Sequence, residues 1–201
     1  MSKIAVDAVL LPSDEVTARA IEANRELLKQ CPGKIVLDKE DCLPHISLAM
    51  GCIDQCRIAD VERILRAIAE ERSLERPISL GIHVAANCVG ERVSVLELKR
   101  TQTLQSLHEE VMGRLAAHLD RDVTAEMVLS PPPIAESTLL WIRDYCEKSS
   151  FERFFPHITL GYGQLYDFRF PPRFTAPRLA LCHLGNHCTC RRILASAEFP
   201  C

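Results

Sequence analysis

The sequence Pro-His-Ile-Ser-Leu at residues 44–48 occurs again at residues 156–160 as Pro-His-Ile-Thr-Leu. The two copies differ at one position, where one hydroxyl side chain replaces another. In a β-strand, side chains two positions apart lie on the same face. Each copy therefore predicts a short strand that buries its isoleucine and leucine in the core. The opposite face of that strand presents one imidazole beside one hydroxyl group.

The two imidazoles, those of His45 and His157, fit general acid–base catalysis. Histidine is the side chain whose ordinary pKa lies near neutral pH, so one imidazole can accept a proton while the other donates one. The hydroxyl groups of Ser47 and Thr159 can donate hydrogen bonds to phosphate oxygens as charge shifts in the transition state. A single copy of the motif would more often be an ordinary buried strand. Two copies with matching flanks favour a site for a phosphodiester.

The remaining sequence predicts strands mixed with helices. Hydrophobic patterns predict strands at about residues 4–11, 45–50, 78–84, 92–98, 157–162, 178–184 and 191–198. Helices are predicted from an N-cap at Ser13 to Pro32-Gly33, from a cap at Asp54 through Ile68, and at about 102–119 and 136–147. Turns at 87–91 and at Gly185-Asn186 connect neighbouring strands as hairpins. This order favours an α+β fold with antiparallel sheets over a doubly wound parallel sheet.

Composition excludes several classes of protein. The 201 residues carry 24 basic and 27 acidic side chains, a net charge of −3, which argues against a broad electrostatic grip on DNA or other long nucleic acid. No apolar run approaches the length of a membrane span, and the N-terminus lacks the pattern of a cleaved signal peptide. The ten cysteines are then interpreted as free thiols. We expect a cytoplasmic protein with no membrane partner.

The two motifs, the order of the elements and the stretch 154–160 together resemble the 2H phosphoesterase superfamily, which includes 2′-5′ RNA ligases and cyclic nucleotide phosphodiesterases. The resemblance covers nearly the whole chain. It implies a single bilobal domain over 1–201, with two antiparallel sheets and outer helices around a central cleft in pseudo-two-fold symmetry. It also implies a catalytic pair, His45 and His157, phosphate binding by Ser47 and Thr159, and neither metal nor cofactor.

The expected reaction is hydrolysis of a cyclic phosphate or of a 2′-5′ phosphodiester. Candidate substrates are a 2′,3′-cyclic nucleotide, ADP-ribose 1″,2″-cyclic phosphate and an RNA end, each bound by a monomer. RNA 2′-5′ ligation, which reverses cleavage, and non-catalytic binding of phosphorylated ends are the alternatives. The motifs do not decide which histidine is the base. The segment 121–155 is longer than the resemblance predicts, which points to an altered substrate.

Four further features have competing interpretations. Tyr162 is either a substrate-binding platform for a base or a core residue, and on a regular strand it shares a side with Leu160. His83 either faces the cleft or faces solvent. The stretch 182–190 is rich in cysteine and histidine, but it lacks the paired spacing of zinc sites, and no metal is expected. The basic residues near the motifs, any of which could meet a phosphate, are Lys34, Lys39, Arg153, Arg169 and Arg173.

Overall fold

Two antiparallel β-sheets and four α-helices make up the part of the chain that this computed structural model describes, residues 2–86 and 90–200. The strands are β1 (Lys3–Leu11), β2 (Ile46–Asp54), β3 (Ser79–Ala86), β4 (Arg92–Leu98), β5 (His157–Tyr162), β6 (Arg178–Leu184) and β7 (Cys190–Glu198). The helices are α1 (Asp14–Leu28), α2 (Ile58–Glu71), α3 (Gln102–Leu115) and α4 (Glu136–Lys148). No helix within these ranges is both long and apolar enough to cross a membrane.

Each sheet contains one of the two motifs. The first sheet has the order β2-β1-β6-β7, and the second has the order β3-β4-β5. Every pairing in both sheets is antiparallel. The predicted α+β class and the two antiparallel sheets are therefore confirmed. The sheets differ in strand number, so any two-fold relation between them is approximate.

Both motifs show the predicted alternation of buried and half-buried residues. Ile46, Leu48, Ile158 and Leu160 are all fully buried in one hydrophobic core. The histidine and hydroxyl residues between them are only partly buried. The buried face follows from the two-residue period of a strand and from the removal of large aliphatic side chains from water.

The helices tie the two sheets together. Helix α1 follows β1 of the first sheet in the chain but packs against β5 of the second. Helix α2 packs against β6 and β7, whereas α3 and α4 both pack against β2. Because α1 crosses between the sheets, one hydrophobic core contains side chains from both of them.

Asn24 on α1 is the buried polar residue at that crossing. Its amide nitrogen donates to the carbonyl oxygen of Leu160 at 2.7 Å and to that of Ile35 at 3.0 Å. Its amide oxygen accepts from the backbone of Leu37 at 2.9 Å. Gly161 lies against it with φ +143°, and a Cβ there would come within 2.8 Å of the Asn24 nitrogen. A glycine is therefore required where α1 meets β5.

Some predicted boundaries are wrong. The third helix ends at Leu115 instead of 119, because the chain turns there and Asp120 pairs with Cys52 beside β2. Asp54 precedes a 3₁₀ turn instead of capping α2, and its side chain makes no capping hydrogen bond. β2 extends to Asp54, four residues past the predicted end. The predicted turn at 87–91 includes residues 87–89, which lie outside the described residues.

Candidate active site

A cleft of about 350 Å³ lies between the two sheets, and both motifs open into it. The volume falls in the range of roughly 300–1,000 Å³ that is typical of small-molecule sites. The structure brings together the five site residues predicted from the sequence, which are His45, Ser47, His157, Thr159 and Tyr162.

The two histidines have matching hydrogen bonds. The Nδ1 atom of His45 lies 2.7 Å from the carbonyl oxygen of Leu43, and that of His157 lies 2.8 Å from the carbonyl oxygen of Phe155. A carbonyl oxygen only accepts, so each Nδ1 carries the hydrogen of the neutral ring. The lone pair of each neutral ring is then on Nε2. The fixed tautomer leaves this atom as the reactive nitrogen of both side chains.

Burial favours the neutral form of both rings. The pKa of His45 is lowered to about 4, mainly by loss of solvent and to a smaller extent by the neighbouring His157, while the bond to Leu43 opposes the shift. Loss of solvent also lowers the pKa of His157, against the opposing effects of its bond to Phe155 and of the Glu97 carboxylate. Near pH 7 both histidines of the empty site are therefore neutral. A bound phosphate anion would favour protonation of either ring.

Ser47 contacts a buried carboxylic acid. Its Oγ lies 2.6 Å from Oδ2 of Asp7, which is fully buried on β1. The Oδ2 atom also lies 3.9 Å from Nε2 of His45. Burial raises the pKa of Asp7 well above its ordinary value, although Ser47 and the backbone of Ala49 favour the charged form. Burial thus favours the neutral form of both Asp7 and His45.

Tyr162 faces the cleft because β5 contains a bulge. Thr159 pairs with Val95 and Tyr162 pairs with Val93, so Leu160 is an extra residue in the ladder. The bulge moves Tyr162 to the same side as Thr159. The expectation that Tyr162 shares a side with Leu160 is therefore wrong. Tyr162 lines the cleft, with Lys34 4.5 Å from its ring centre and its hydroxyl 3.2 Å from Nδ1 of His187.

His83 and Glu97 lie on the same face of the second sheet as His157. In the ladder, His83 pairs with Val95 and Glu97 pairs with His157. The Nδ1 of His83 lies 3.8 Å from Oε2 of Glu97, and its ring meets that of Phe155 edge-on at 6.1 Å. The side chain of His83 is half exposed. It therefore flanks the cleft, while Glu97 lies between the two histidines of this sheet.

The long segment 121–155 forms one wall of the cleft. Ser137, Trp141, Tyr145 and Lys148 follow one another at helical spacing on α4, and all four line the cleft. Trp141 is 39% exposed and offers an aromatic surface. The segment that was predicted to alter substrate choice therefore adjoins the site.

The basic residues named from the sequence are dispersed. Arg153 lines the cleft, although one of its nitrogens donates to the carbonyl oxygen of Glu147. Lys34 lies at the rim against Tyr162 and pairs with Glu91. Lys39, Arg169 and Arg173 are exposed and do not line the cleft.

The cysteine and histidine residues of 182–190 do not converge on one point. His183 bonds the carbonyl oxygen of Met127 at 2.9 Å, whereas His187 turns toward Tyr162. Cys190 is buried and hydrogen-bonded with Cys182. Among the described residues, no three histidine, cysteine or acidic side chains are placed to hold a metal ion.

Comparison with known proteins identifies the fold. No protein-family model matches the sequence, and no curated protein matches it. Among solved structures, the crystal structure of E. coli LigT in apo form matches with a TM-score of 0.52 and 15% sequence identity, covering 100% of both chains. The chain has the LigT fold. At this identity, the likeness to LigT establishes the architecture, and the chemistry depends on the residues of the cleft.

Sequence patterns could have indicated two of the residues that were missed. Asp7 is the charged residue in the otherwise apolar run 4–11, and Glu97 alternates with Leu96 and Leu98 on the other face. Both patterns place a carboxylate beside a motif once the strands pair. Trp141 gave no such signal, because only the packing of α4 against β2 turns it to the cleft.

Proposed function

We propose that this protein is a metal-independent phosphoesterase that hydrolyses a cyclic phosphate of a small nucleotide or of an RNA end. The observation that carries the proposal is the pair of histidines that face one cleft from two sheets, each with Nδ1 fixed by a backbone carbonyl. This pair supplies a base and an acid, and Ser47 and Thr159 supply hydroxyl donors for phosphate. Side chains alone then provide each group that the reaction needs.

The surroundings of the histidines support different roles for them. Glu97 pairs with His157 across the sheet and raises its pKa against the effect of burial. His157 therefore binds a proton more readily than His45 does, and it acts as the general acid. His45, whose pKa is about 4, stays neutral and acts as the general base. The Nε2 of His45 takes a proton from water while the water oxygen bonds to phosphorus.

The leaving group is a sugar oxygen. As its bond to phosphorus breaks, it takes the proton from Nε2 of His157, and the product is a phosphate monoester with a free hydroxyl. Ser47 and Thr159 hold the phosphate oxygens during the change of charge. The proton gained by His45 and the proton lost by His157 exchange with solvent before the next cycle.

The fold shared with E. coli LigT, together with the two motifs that resemble the 2H phosphoesterase superfamily, supports this function at the level of the superfamily. Ligation of a cyclic phosphate with a sugar hydroxyl uses the same acid and the same base in the same roles. The hydroxyl group of a second RNA end would replace water beside His45. Hydrolysis is the reaction we propose, because it requires one nucleotide in a cleft of about 350 Å³.

The test is a set of phosphodiesters incubated with the protein in EDTA. It contains the four nucleoside 2′,3′-cyclic phosphates, ADP-ribose 1″,2″-cyclic phosphate and a 2′-5′ dinucleotide. We expect turnover of at least one of them, and a loss on the order of 10²-fold or more in His45→Ala and in His157→Ala. His118→Ala, which changes a histidine outside the cleft, is the matched control and keeps wild-type turnover.

Two results would contradict the proposal. Turnover that survives both cleft substitutions would remove the histidines from the reaction. Tight binding of these ligands without turnover would instead favour a protein that recognises phosphorylated ends.

A further inference from the structure

Asp7 is a buried acid that the two-histidine mechanism does not use. It lies on β1 beneath Ser47 and is inaccessible to solvent, and its Oδ1 atom has no hydrogen-bond partner among the described residues. No lysine or arginine in the described part of the chain forms an ion pair with it. An ionised carboxylate would be costly in such surroundings, because burial away from any positive charge disfavours the charged form more than the hydrogen bonds from Ser47 and the backbone of Ala49 favour it.

The groups around Asp7 leave it without a compensating positive charge. Ser47 and His45 approach it from the side of β2, and Cys182 pairs with it on β6. Two further buried groups lie near Asp7, the Tyr145 hydroxyl on α4 and the Cys190 thiol on β7, and burial raises the pKa of both. No positively charged side chain is among these neighbours, because His45 is neutral in the empty site. Asp7 is accordingly most stable as a neutral carboxylic acid.

The protonation of Asp7 decides what Ser47 can do. A serine hydroxyl has one hydrogen to donate and two lone pairs that accept. If Asp7 were ionised, that hydrogen would be committed to Oδ2 at 2.6 Å and could not reach a phosphate. If Asp7 is neutral, its own O–H donates to the Ser47 oxygen, and the serine hydrogen is released toward the cleft.

We propose that Asp7 is a positioning residue of this site, a neutral acid that donates its hydrogen to Ser47 and thereby directs the Ser47 hydroxyl at the phosphate. The inference rests on the proposed function for its substrate, and it adds the residue that sets the direction of one phosphate donor. Asp7 touches no substrate and acts through Ser47. It also keeps negative charge away from the phosphate and from Nε2 of His45.

The kinetic test compares Asp7→Leu, Asp7→Asn and Ser47→Ala on the best cyclic phosphate. Leucine keeps the bulk but has no donor, so we expect a loss on the order of 10²-fold in kcat, similar to that of Ser47→Ala. The double variant should be no worse than Ser47→Ala alone, because both changes remove the same hydrogen bond to phosphate. An asparagine amide can donate to the Ser47 oxygen in place of the acid. Asp7→Asn should therefore recover kcat to within roughly tenfold of wild type.

The control for a loss of packing is Val6→Ala, which creates space at the neighbouring residue on the opposite face of β1, in the main core. It should lower stability without changing kcat. An Asp7→Asn variant as inactive as His45→Ala would overturn the proposal, since it would show that the ionised carboxylate is required. Full activity in Asp7→Leu would also overturn it.

A stability measurement tests the protonation state without reference to turnover. Because the folded protein holds a proton on Asp7 that the unfolded chain loses above an ordinary pKa of 3.8, the stability of wild type must fall relative to Asp7→Asn as pH rises. The ratio of the two unfolding equilibrium constants should change by up to about tenfold per pH unit above pH 4. Urea unfolding from pH 4 to pH 8 measures this ratio. A constant ratio over this range would overturn the assignment of a neutral Asp7.

The two tests fail separately. If wild type turned over no cyclic phosphate, the proposed function would be lost, while the pH dependence of unfolding would still decide the state of Asp7. If wild type were active and the ratio of unfolding constants were constant, the function would stand and the role of Asp7 would be lost.

Discussion

At the scale of single residues, the two motifs have nearly the same local chemistry but different neighbours. Both histidines use the carbonyl oxygen two residues earlier to fix Nδ1. His157 has Glu97, which raises its pKa, as its ladder partner, whereas the acid near His45 is the fully buried Asp7, whose own pKa is raised by burial. The different surroundings of these two acids distinguish two histidines that the sequence cannot tell apart.

This difference predicts a change in the pH profile. Glu97→Gln removes a charge that favours protonated His157, so the pKa of the general acid falls. The alkaline limb of kcat/KM should move to lower pH by roughly one pH unit, with up to about a tenfold loss at pH 7. The measurement is kcat/KM from pH 5 to pH 9. Glu109→Gln, an exposed carboxylate on α3, is the control and should leave the profile in place.

His83 also lies near Glu97, and it lowers the pKa of His157. One result would contradict the assignment of His157 as the acid. If Glu97→Gln moved the acidic limb and left the alkaline limb fixed, His157 would be the base, and the two roles would be reversed.

At the scale of elements, α4 determines the wall of the cleft that faces the motifs. Trp141 lines the cleft on this helix and is 39% exposed. Stacking of a base on an aromatic side chain contributes roughly 1–3 kcal/mol. The ring is placed by a helix that packs against β2, the strand of the first motif. We therefore expect substrates that carry a base to gain a contact that a bare phosphate does not.

Trp141→Ala should therefore separate the recognition of the base from the chemistry. We expect KM for a nucleoside 2′,3′-cyclic phosphate to rise by roughly tenfold, with kcat changed little. Trp141→Phe keeps an aromatic ring and should keep KM within a few-fold. Glycerol 1,2-cyclic phosphate, which has no base, is the control substrate. An equal loss on both substrates would show that Trp141 supports the wall instead of contacting a base.

At the scale of the whole molecule, the distance between the motifs depends on links between the sheets. His108 of α3 is one such link: its Nδ1 donates to the carbonyl oxygen of Leu48, and its Nε2 accepts from the backbone of Phe151. Its ring stacks on Phe154 at 4.0 Å. Asn24 is the second link, from α1 to β5. Both side chains join the segment of one motif to a segment near the other.

Loss of the Asn24 link should destabilise the fold. Asn24→Ala leaves three buried backbone groups without partners, and we expect the free energy of unfolding to fall by about 3 kcal/mol. Urea unfolding followed by circular dichroism measures the change. Arg25→Ala, at the exposed neighbouring position of α1, should change it by less than about 0.5 kcal/mol. Equal effects of the two variants would show that the link carries no stability.

The sequence by itself determined the α+β class, most of the helices and strands, and the direction of both motifs. These properties follow from short-range periodicity, since alternation by two places His45 with Ser47 and His157 with Thr159 whatever the rest of the chain does. The boundaries that were wrong, such as the end of α3, lie where distant segments pair.

Only the tertiary structure decided how the rest of the cleft is built. Tyr162 faces the cleft because a bulge beside Gly161 changes the register of β5, and Trp141 faces it because α4 packs on β2. Asp7 is buried because its strand pairs with a neighbour on both sides, and this burial raises its pKa. Each of these depends on residues far apart in the chain, whose distances, burial and charges are set only when the two sheets come together.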